Sequence, residues 1–137
     1  MKTLHKIFLL LSVIAVLACE ETIEPMADQS DNLIGSWVNP VPVDTCWRYE
    51  RAYGLNNNDY GFAFQSDQVF VERKNAGFCG TPPITYANFE GTWAKKDSII
   101  NISVEYWGGI ADYQWKVISV NDQYLTIYKV KEEYHNR

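Results

Sequence analysis

The sequence predicts an all-β fold, a small eight-stranded antiparallel up-and-down barrel that follows a signal peptide and an acidic tether. Apolar and polar residues alternate from Tyr86 to Val120, as in strands with one buried face. Turn-forming stretches interrupt the pattern at short intervals, and no helical period occurs. Because closure removes exposed strand edges, a barrel is favoured over an open sandwich, the competing shape.

Composition limits the size of the fold and its partners. The 137 residues are enough for one domain, and 47% hydrophobic with 15% aromatic content is enough for one core. The net charge is -5, and no run of Lys or Arg is present to follow a phosphate backbone. Nucleic acid is therefore not an expected partner.

Residues 1–18 have the features of a processing segment. Lys2 and Lys6 precede the apolar run Ile7–Leu17, which is shorter than the roughly 20 residues of a membrane-spanning helix. The run ends in Val16-Leu17-Ala18-Cys19, which resembles the lipobox of bacterial lipoproteins. This resemblance implies cleavage before Cys19 and acylation of that cysteine, for example with palmitate. A secretory signal with a chance cysteine is the alternative.

Residues 19–32 are expected to form a lipidated, solvated tether. Removal of the signal leaves ten basic residues against 17 acidic ones, a formal charge of -7. The segment Glu20–Asn32 holds five acids, Pro25 and no Lys or Arg, so it cannot build a core and should reach roughly 20 Å. Two or more acyl chains anchor a protein stably, so the membrane is an expected partner. The acids after Cys19 resemble signals for export to the outer face of the outer membrane, or they are part of a polar linker.

The first half of the domain 33–137 predicts four strands. They lie at Ile34–Val38, Trp47–Tyr53, Tyr60–Gln65 and Val69–Lys74, with Pro40 and Pro42 ending the first, a loop at Gly54–Asp59 and a turn at Ser66-Asp67. The predicted pairs in the last hairpin are Phe64 with Val69, Phe62 with Val71 and Tyr60 with Arg73. A long loop, Asn75–Thr85, follows.

The second half predicts three strands joined by tight turns after Ala94 and at Gly108-Gly109, then a last strand at Tyr124–Glu133. The predicted inward pairs are Phe89 with Val104, Trp93 with Ile100, Val104 with Tyr113, Ile102 with Trp115 and Ile100 with Val117. Glu105 is predicted opposite Asp112 on the outer face. In the last strand, Leu125 and Ile127 are expected inside, and Tyr124, Thr126 and Tyr128 are the alternative set.

Three motifs resemble a known family. They are Gly35-x-Trp37, Gly91-Thr92-Trp93, and Glu72-Arg73-Lys74-Asn75 leading into Cys79-Gly80-Thr81-Pro82-Pro83. Together they are similar to the lipocalin-like domains of Gram-negative envelope lipoproteins, over Leu33 to about Val130. The resemblance implies a calycin-like barrel in the cell envelope, with the outer membrane as the expected location, and it carries no ligand with it.

The sequence gives little support for a catalytic site or a metal site. The mature chain has one histidine, His135, so a Ser/His or Cys/His nucleophile has no other base and a histidine-bearing metal site has no other such ligand. We therefore expect a protein that is not an enzyme and needs no cofactor. Cys46 and Cys79 are a possible disulfide in an oxidising envelope, but strict up-and-down tracing places them at opposite ends of the barrel.

One candidate pocket emerges at a predicted barrel mouth. Its residues are Arg51, Tyr53, Tyr60, Arg73 and Tyr106, and it would accept a small amphiphile or anion. Alternatively, both arginines stay at the rim and pair with Glu50 or Glu72. The predicted function is thus a lipid-anchored, non-catalytic binding barrel.

The rival is a structural or protein-interaction lipoprotein with a filled core, such as an inhibitor or a component of an outer-membrane complex. A cavity above roughly 300 Å³ favours ligand binding. A solid interior with exposed aromatic loops favours the interaction protein.

Overall fold

The structure, a computed structural model that describes residues 30–137, confirms the closed eight-stranded antiparallel barrel. A one-turn helix, α1 (Ser30–Leu33), precedes the strands. The strands are β1 Gly35–Val43, β2 Cys46–Ala52, β3 Gly61–Phe64, β4 Val69–Asn75, β5 Tyr86–Lys96, β6 Ile99–Tyr106, β7 Gly109–Val120 and β8 Tyr124–Asn136. The predicted signal peptide, Cys19 and most of the tether lie outside the described residues. Within residues 30–137, no helix is long and apolar enough to cross a bilayer.

The barrel departs from a plain meander at its beginning. The strand order is β1-β2-β8-β7-β6-β5-β4-β3, and β3 closes the barrel by pairing with β1. Because β2 and β3 are both antiparallel to β1, they run in the same direction, and residues 53–60 must cross β1 between them. A Cβ at Gly61 would lie 3.0 Å from the Trp37 carbonyl oxygen and from Val38 Cγ1 and 3.1 Å from Leu55 Cδ2, so a larger residue would force these neighbours to shift beneath the crossing.

This order defines the two ends of the barrel. The helix end carries α1 and the turns 65–68, 97–98 and 121–123. The loop end carries the β1–β2 turn, the long loop 76–85 and the β6–β7 turn. Since β2 runs from the loop end to the helix end, residues late in β2 lie far from residues early in β3.

The β5–β7 meander has the predicted inner face in a different register. Trp93 pairs with Ile102, Ile102 with Tyr113 and Ile100 with Trp115, each two residues away from the predicted partner. The first turn, at residues 97–98, lies later than predicted, and the second, at residues 107–108, lies earlier. A shift of two residues in the pairing leaves every side chain on its predicted face. Trp93 and Trp115 are therefore buried as predicted.

The same shift corrects a predicted clash on the outer face. Glu105 pairs with Ile110, and Asp112 pairs with Ser103, so the two carboxylates are not opposite each other. Each instead has a basic side chain nearby: Arg137 lies 3.4 Å from Glu105, and His135 Nε2 lies 3.1 Å from Asp112.

The β3–β4 hairpin is shifted by one residue, which has a larger consequence. Phe62 pairs with Glu72 and Phe64 with Phe70, because the connection is longer than predicted and Gln65 N–H donates to the Val69 carbonyl at 2.9 Å. A one-residue shift exchanges the two faces of a strand. The inward residues of β4 are consequently Phe70, Glu72 and Lys74, and Arg73 points outward, against the prediction.

Aromatic rings fill the middle of the barrel. Phe62 lies at its centre, with ring centroids of Tyr49 at 4.8 Å, Trp115 at 5.1 Å and Phe70 at 5.7 Å. Phe64 continues the packing to Trp93 at 5.0 Å. Leu125 and Ile127 are fully buried, which confirms the predicted inner face of the last strand.

Candidate functional site

The five residues of the predicted pocket do not come together. Arg51 and Tyr53 lie at the helix end, whereas Tyr60, Arg73 and Tyr106 lie at the loop end. The reason is the direction of β2, which is parallel to β3 and not antiparallel to it as a plain meander requires. Arg73 also faces out, donating from Nη1 to Asn88 Oδ1 at 2.8 Å.

Arg51 has a structural task at the helix end. Its guanidinium lies 4.3 Å from the ring of Trp37 and donates to the carbonyls of Ile34, at 2.8 Å, and Asn32. It therefore ties the start of the described chain to the barrel wall. Fully exposed Tyr53 lies beside it in an open depression of about 500 Å³, which Asp122 and Tyr124 also line.

A buried polar group, the mouth cluster of Tyr60, Glu72, Lys74 and Tyr113, occupies the barrel toward the loop end. Glu72 is 3% exposed. Its Oε1 accepts from the Tyr60 hydroxyl at 2.8 Å, and its Oε2 accepts from Lys74 at 2.5 Å and from Tyr113 at 3.1 Å. Sequence reasoning assigned Glu72 only a rim role, because it assumed the opposite face of β4.

The environment of the mouth cluster keeps its phenols protonated. Burial raises the pKa of Tyr60 and of Tyr113 well above the ordinary value, and the neighbouring charge of Glu72 raises both further. Lys74 Nζ also lies 5.4 Å from the centroid of the Phe89 ring. Each oxygen of the carboxylate accepts at least one hydrogen bond, so the cluster is a connected network that stabilises one arrangement of the wall.

A second ion pair lies where β8 passes β2. Lys129 Nζ is 3.1 Å from Glu132 Oε1 and 5.6 Å from the centroid of the Trp47 ring. The indole N–H of Trp115 donates to the same carboxylate at 3.3 Å. Tyr49 lies within reach of both acids: burial, then Glu132, then Glu72 raise its pKa.

Catalytic geometry is not evident in these groups. Among residues 30–137, no cluster of three His, Cys, Asp or Glu side chains could hold a metal ion. The carboxylate of Glu72 is buried and already accepts three hydrogen bonds from its own chain, which leaves it little capacity to bind a substrate.

Large exposed rings form a different kind of site at the loop end. Phe78 is 84% exposed, Trp107 53% and Tyr134 56%. Their centroids are linked: Phe78 to Trp107 at 5.8 Å, Trp107 to Tyr106 at 5.6 Å, and Tyr106 to Tyr134 at 5.3 Å. We call Phe78, Trp107 and Tyr134 the aromatic platform.

The platform could be foreseen only in part. Phe78 lies in the predicted long loop and Trp107 directly before the predicted turn Gly108-Gly109, where large apolar residues have no core to enter. That is the signal available from sequence. Tyr134 carries no such signal, because it continues the alternation of β8 beyond the predicted strand end.

A second depression lies on the outer face of β5–β8. Its volume is about 540 Å³, and it is lined mainly by short polar side chains such as Thr92, Asn101, Ser103 and Gln114. Asn101 accepts a hydrogen bond from Gln114 at 3.2 Å. Both depressions are open to solvent and lie on the surface of the barrel, outside its packed centre.

The two cysteines both lie at the loop end, which corrects the prediction of opposite ends. Cys46 begins β2 and is half-buried, Cys79 is exposed in the loop, and both thiols are free. Phe78 packs on Trp107 and so holds this part of the loop at the β6–β7 turn. Hydrogen bonds from the backbone and side chain of Thr81 lower the pKa of the Cys79 thiol.

Comparison of the chain with protein-family models, with curated proteins and with solved structures gives no match.

Proposed function

We propose that this chain is a lipid-anchored cell-envelope protein, without catalysis, that acts by binding another protein at the loop end of its barrel. The observation that carries the proposal is the aromatic platform of Phe78, Trp107 and Tyr134. Aromatic residues are enriched at protein interfaces and among the residues that dominate binding energy. Three large exposed rings at one end of a small protein form an apolar patch of the kind that marks a protein-binding surface.

The packed interior supports this choice over a ligand inside the barrel. An eight-stranded barrel has room either for its own side chains or for one small ligand. Phe62, Phe70 and Trp115 take up the centre here, with ring centroids 5.1 to 6.0 Å apart. The mouth cluster occupies the next layer toward the loop end.

The position of the proposed anchor also favours a protein partner. The described chain begins at α1 on the helix end, so an acylated Cys19 on a short tether would hold that end toward its own leaflet. The platform would then point away from the leaflet. Aromatic rings directed away from the anchoring lipid need another surface to cover them.

Two measurements test the proposal. Intact mass of the envelope protein should show acylation at Cys19 and lose it in Cys19→Ser. A photo-crosslinking amino acid at position 78 should yield a discrete crosslinked protein, whereas the same amino acid at position 53, which is at least as exposed but lies at the helix end, should not. Equal crosslinking from both positions, or none from position 78, would overturn the protein-contact proposal.

A second candidate function is weak binding of a small anion or amphiphile at the helix end. The observation in its favour is the depression of about 500 Å³ that Arg51 and Tyr53 line. The Arg51 guanidinium already contacts the Ile34 carbonyl and the Trp37 ring, so we rank this candidate function below protein binding. Native mass spectrometry of the envelope-purified protein would support this candidate by finding a retained small molecule that Tyr53→Ser loses.

A further inference from the structure

The second half of β8 is the least supported strand of the barrel. β8 runs over the 13 residues Tyr124–Asn136, but β2 pairs only with its first four, up to Ile127. Among residues 30–137, the paired neighbour of residues 128–136 is β7 alone. This leaves roughly 30 Å of one strand edge with unpaired backbone groups, at about 3.3 Å per residue.

Both faces of this half-strand are also exposed. β7 alternates between buried and less buried residues from Gly109 to Val117, as a covered strand does. In β8 every residue from Val130 onward is exposed, including Tyr134, which faces the rings of Tyr106 and Tyr113 inside the wall. The wall is therefore open beside β8 at the loop end, in line with the point where β2 stops.

We propose that this half of β8 accepts an extended segment of a partner protein, which adds to the barrel as a strand in continuation of β2. The inference rests on the proposed function and adds the mode of recognition. In such strand addition, main-chain hydrogen bonds supply affinity and alternate side chains supply specificity. The segment would direct apolar side chains inward, onto Tyr134 and Trp47, and polar side chains outward, beside Lys131 and Glu133.

The charges of β8 disfavour a second copy of the same chain as the occupant. In a twofold antiparallel pairing, the residue on the axis meets its own copy. An axis at Lys129, Lys131, Glu132 or Glu133 would place like charges directly opposite each other, which destabilises a strand pair. A foreign segment escapes this restriction, since it can present an acid to the lysines and a base to the glutamates.

The edge is also selective against unrelated strands. Val130 is an extra residue between the pairs Gln114–Lys131 and Trp115–Lys129, so β8 bulges there. Lys129 points inward, and Lys131 and Glu133 pair at 2.8 Å on the outer face. Bulges and charged side chains discourage indiscriminate edge pairing, so a binding segment must match both.

The experiment uses the acylated mature protein in detergent. A displayed library of random nine-residue peptides is selected against it, and the best peptide is synthesised twice, once plain and once with alternate backbone nitrogens methylated. We expect the selected sequences to alternate apolar and polar residues. We also expect N-methylation to weaken binding at least tenfold, and the plain peptide to slow amide hydrogen exchange of residues 129–136.

N-methylation and the platform variants together separate this inference from the proposed function, because Tyr134 belongs to both the platform and the strand edge. Tyr134→Ser should weaken peptide binding about tenfold, and Tyr53→Ser should leave it unchanged. Loss of binding in the pair Phe78→Ser and Trp107→Ser, with no effect of N-methylation, would retain the platform and overturn the added strand. The reverse result would retain the strand and overturn the platform.

Three further outcomes overturn the added strand. They are selection of no alternating sequence, slowed exchange in residues 129–136 caused by dimerisation of the protein alone, and equally strong binding of a peptide of its own residues 20–29. The last two outcomes would assign the edge to a second copy and to the tether, respectively.

Discussion

The β3–β4 hairpin and the β5–β7 meander were both predicted in the wrong register, yet only the hairpin acquired a different chemistry. The meander pairs are shifted by two residues, so Trp93 and Trp115 stay inside. The hairpin is shifted by one, so Glu72 and Lys74 are inside and Arg73 is outside. Strand periodicity makes an even shift harmless to the inner face and an odd shift decisive.

The difference lies in how strongly each sequence specifies its faces. In β6, Ile100, Ile102 and Val104 alternate with Asn101, Ser103 and Glu105, so one face alone is suitable for the core. In β4, Val69, Phe70 and Val71 are apolar in succession, and the charged run that follows serves either face. An ambiguous strand takes its register from the connection, and the four-residue connection 65–68 here places Glu72 inside.

The largest expected effect is in the meander. Trp115→Ala removes a fully buried ring between Phe62 and Tyr113, so it should lower the free energy of unfolding by about 4 kcal/mol. Urea denaturation measures the change. Trp107→Ala, at an exposed ring, is the control and should cost less than about 1 kcal/mol. A loss below about 2 kcal/mol at Trp115 would contradict the packed centre.

The hairpin should respond nearly as strongly, for an electrostatic reason. Glu72→Leu leaves the partly buried Lys74 without its carboxylate, and the expected cost is about 3 kcal/mol in urea denaturation. Glu90→Gln, on an exposed position of the neighbouring strand, should be close to neutral. Equal effects at the two sites would mean that Glu72 is not the buried partner.

The double change Glu72→Leu with Lys74→Met should recover most of that loss. Two apolar side chains of similar size replace the ion pair and its desolvation cost, so stability should return to within about 1 kcal/mol of the native protein or exceed it. The coupling from the double-mutant cycle measures this directly. If the double variant is as unstable as Glu72→Leu alone, Tyr60 and Tyr113 depend on the carboxylate more than Lys74 does.

High pH should destabilise the protein through two phenols that contact Glu72, Tyr60 directly before the hairpin and Tyr113 in the meander. The pKa values of Tyr60 and Tyr113 are raised in the folded state, and an unfolded tyrosine ionises near pH 10. Above about pH 10 the unfolded chain loses protons that the native state retains, so the free energy of unfolding falls until the raised pKa is passed. Urea midpoints over that range should fall more steeply in the native protein than in Tyr60→Phe with Tyr113→Phe.

The smallest expected effect compares the turns of the two regions. Gln68 in the β3–β4 connection has a φ of 66°, and Asp97 in the β5–β6 turn has a φ of 53°. Gln68→Gly relieves a left-handed conformation and keeps the carbonyl that accepts from Trp93 N–H, so we expect a gain of about 0.5 kcal/mol. Asp97→Gly should gain less, because aspartate tolerates this region better. Thermal unfolding of both variants checks the order.

The sequence was sufficient for the fold class and for the inner faces of the meander and of β8. Seven strands lie close to their predicted positions, but Pro40 and Pro42 do not end the first strand, which continues to Val43. Leu125 and Ile127 are buried as predicted, and Tyr124 and Tyr128 of the alternative set are exposed. It was insufficient for the pocket, since Arg51 and Tyr60 were joined by an assumed β2–β3 pairing that β1 replaces. Local patterns cannot distinguish these pairings, because both neighbours present the same alternation to the core.

By itself, then, the sequence determined that alternating side chains build antiparallel strands around an apolar interior, since the alternation is a property of each strand separately. Only the tertiary structure decided which strand lies beside which, that Glu72 and Lys74 are enclosed, and that β8 extends past its neighbour β2. Those outcomes depend on the lengths of the connections and on the closure of the whole barrel, which no single segment encodes.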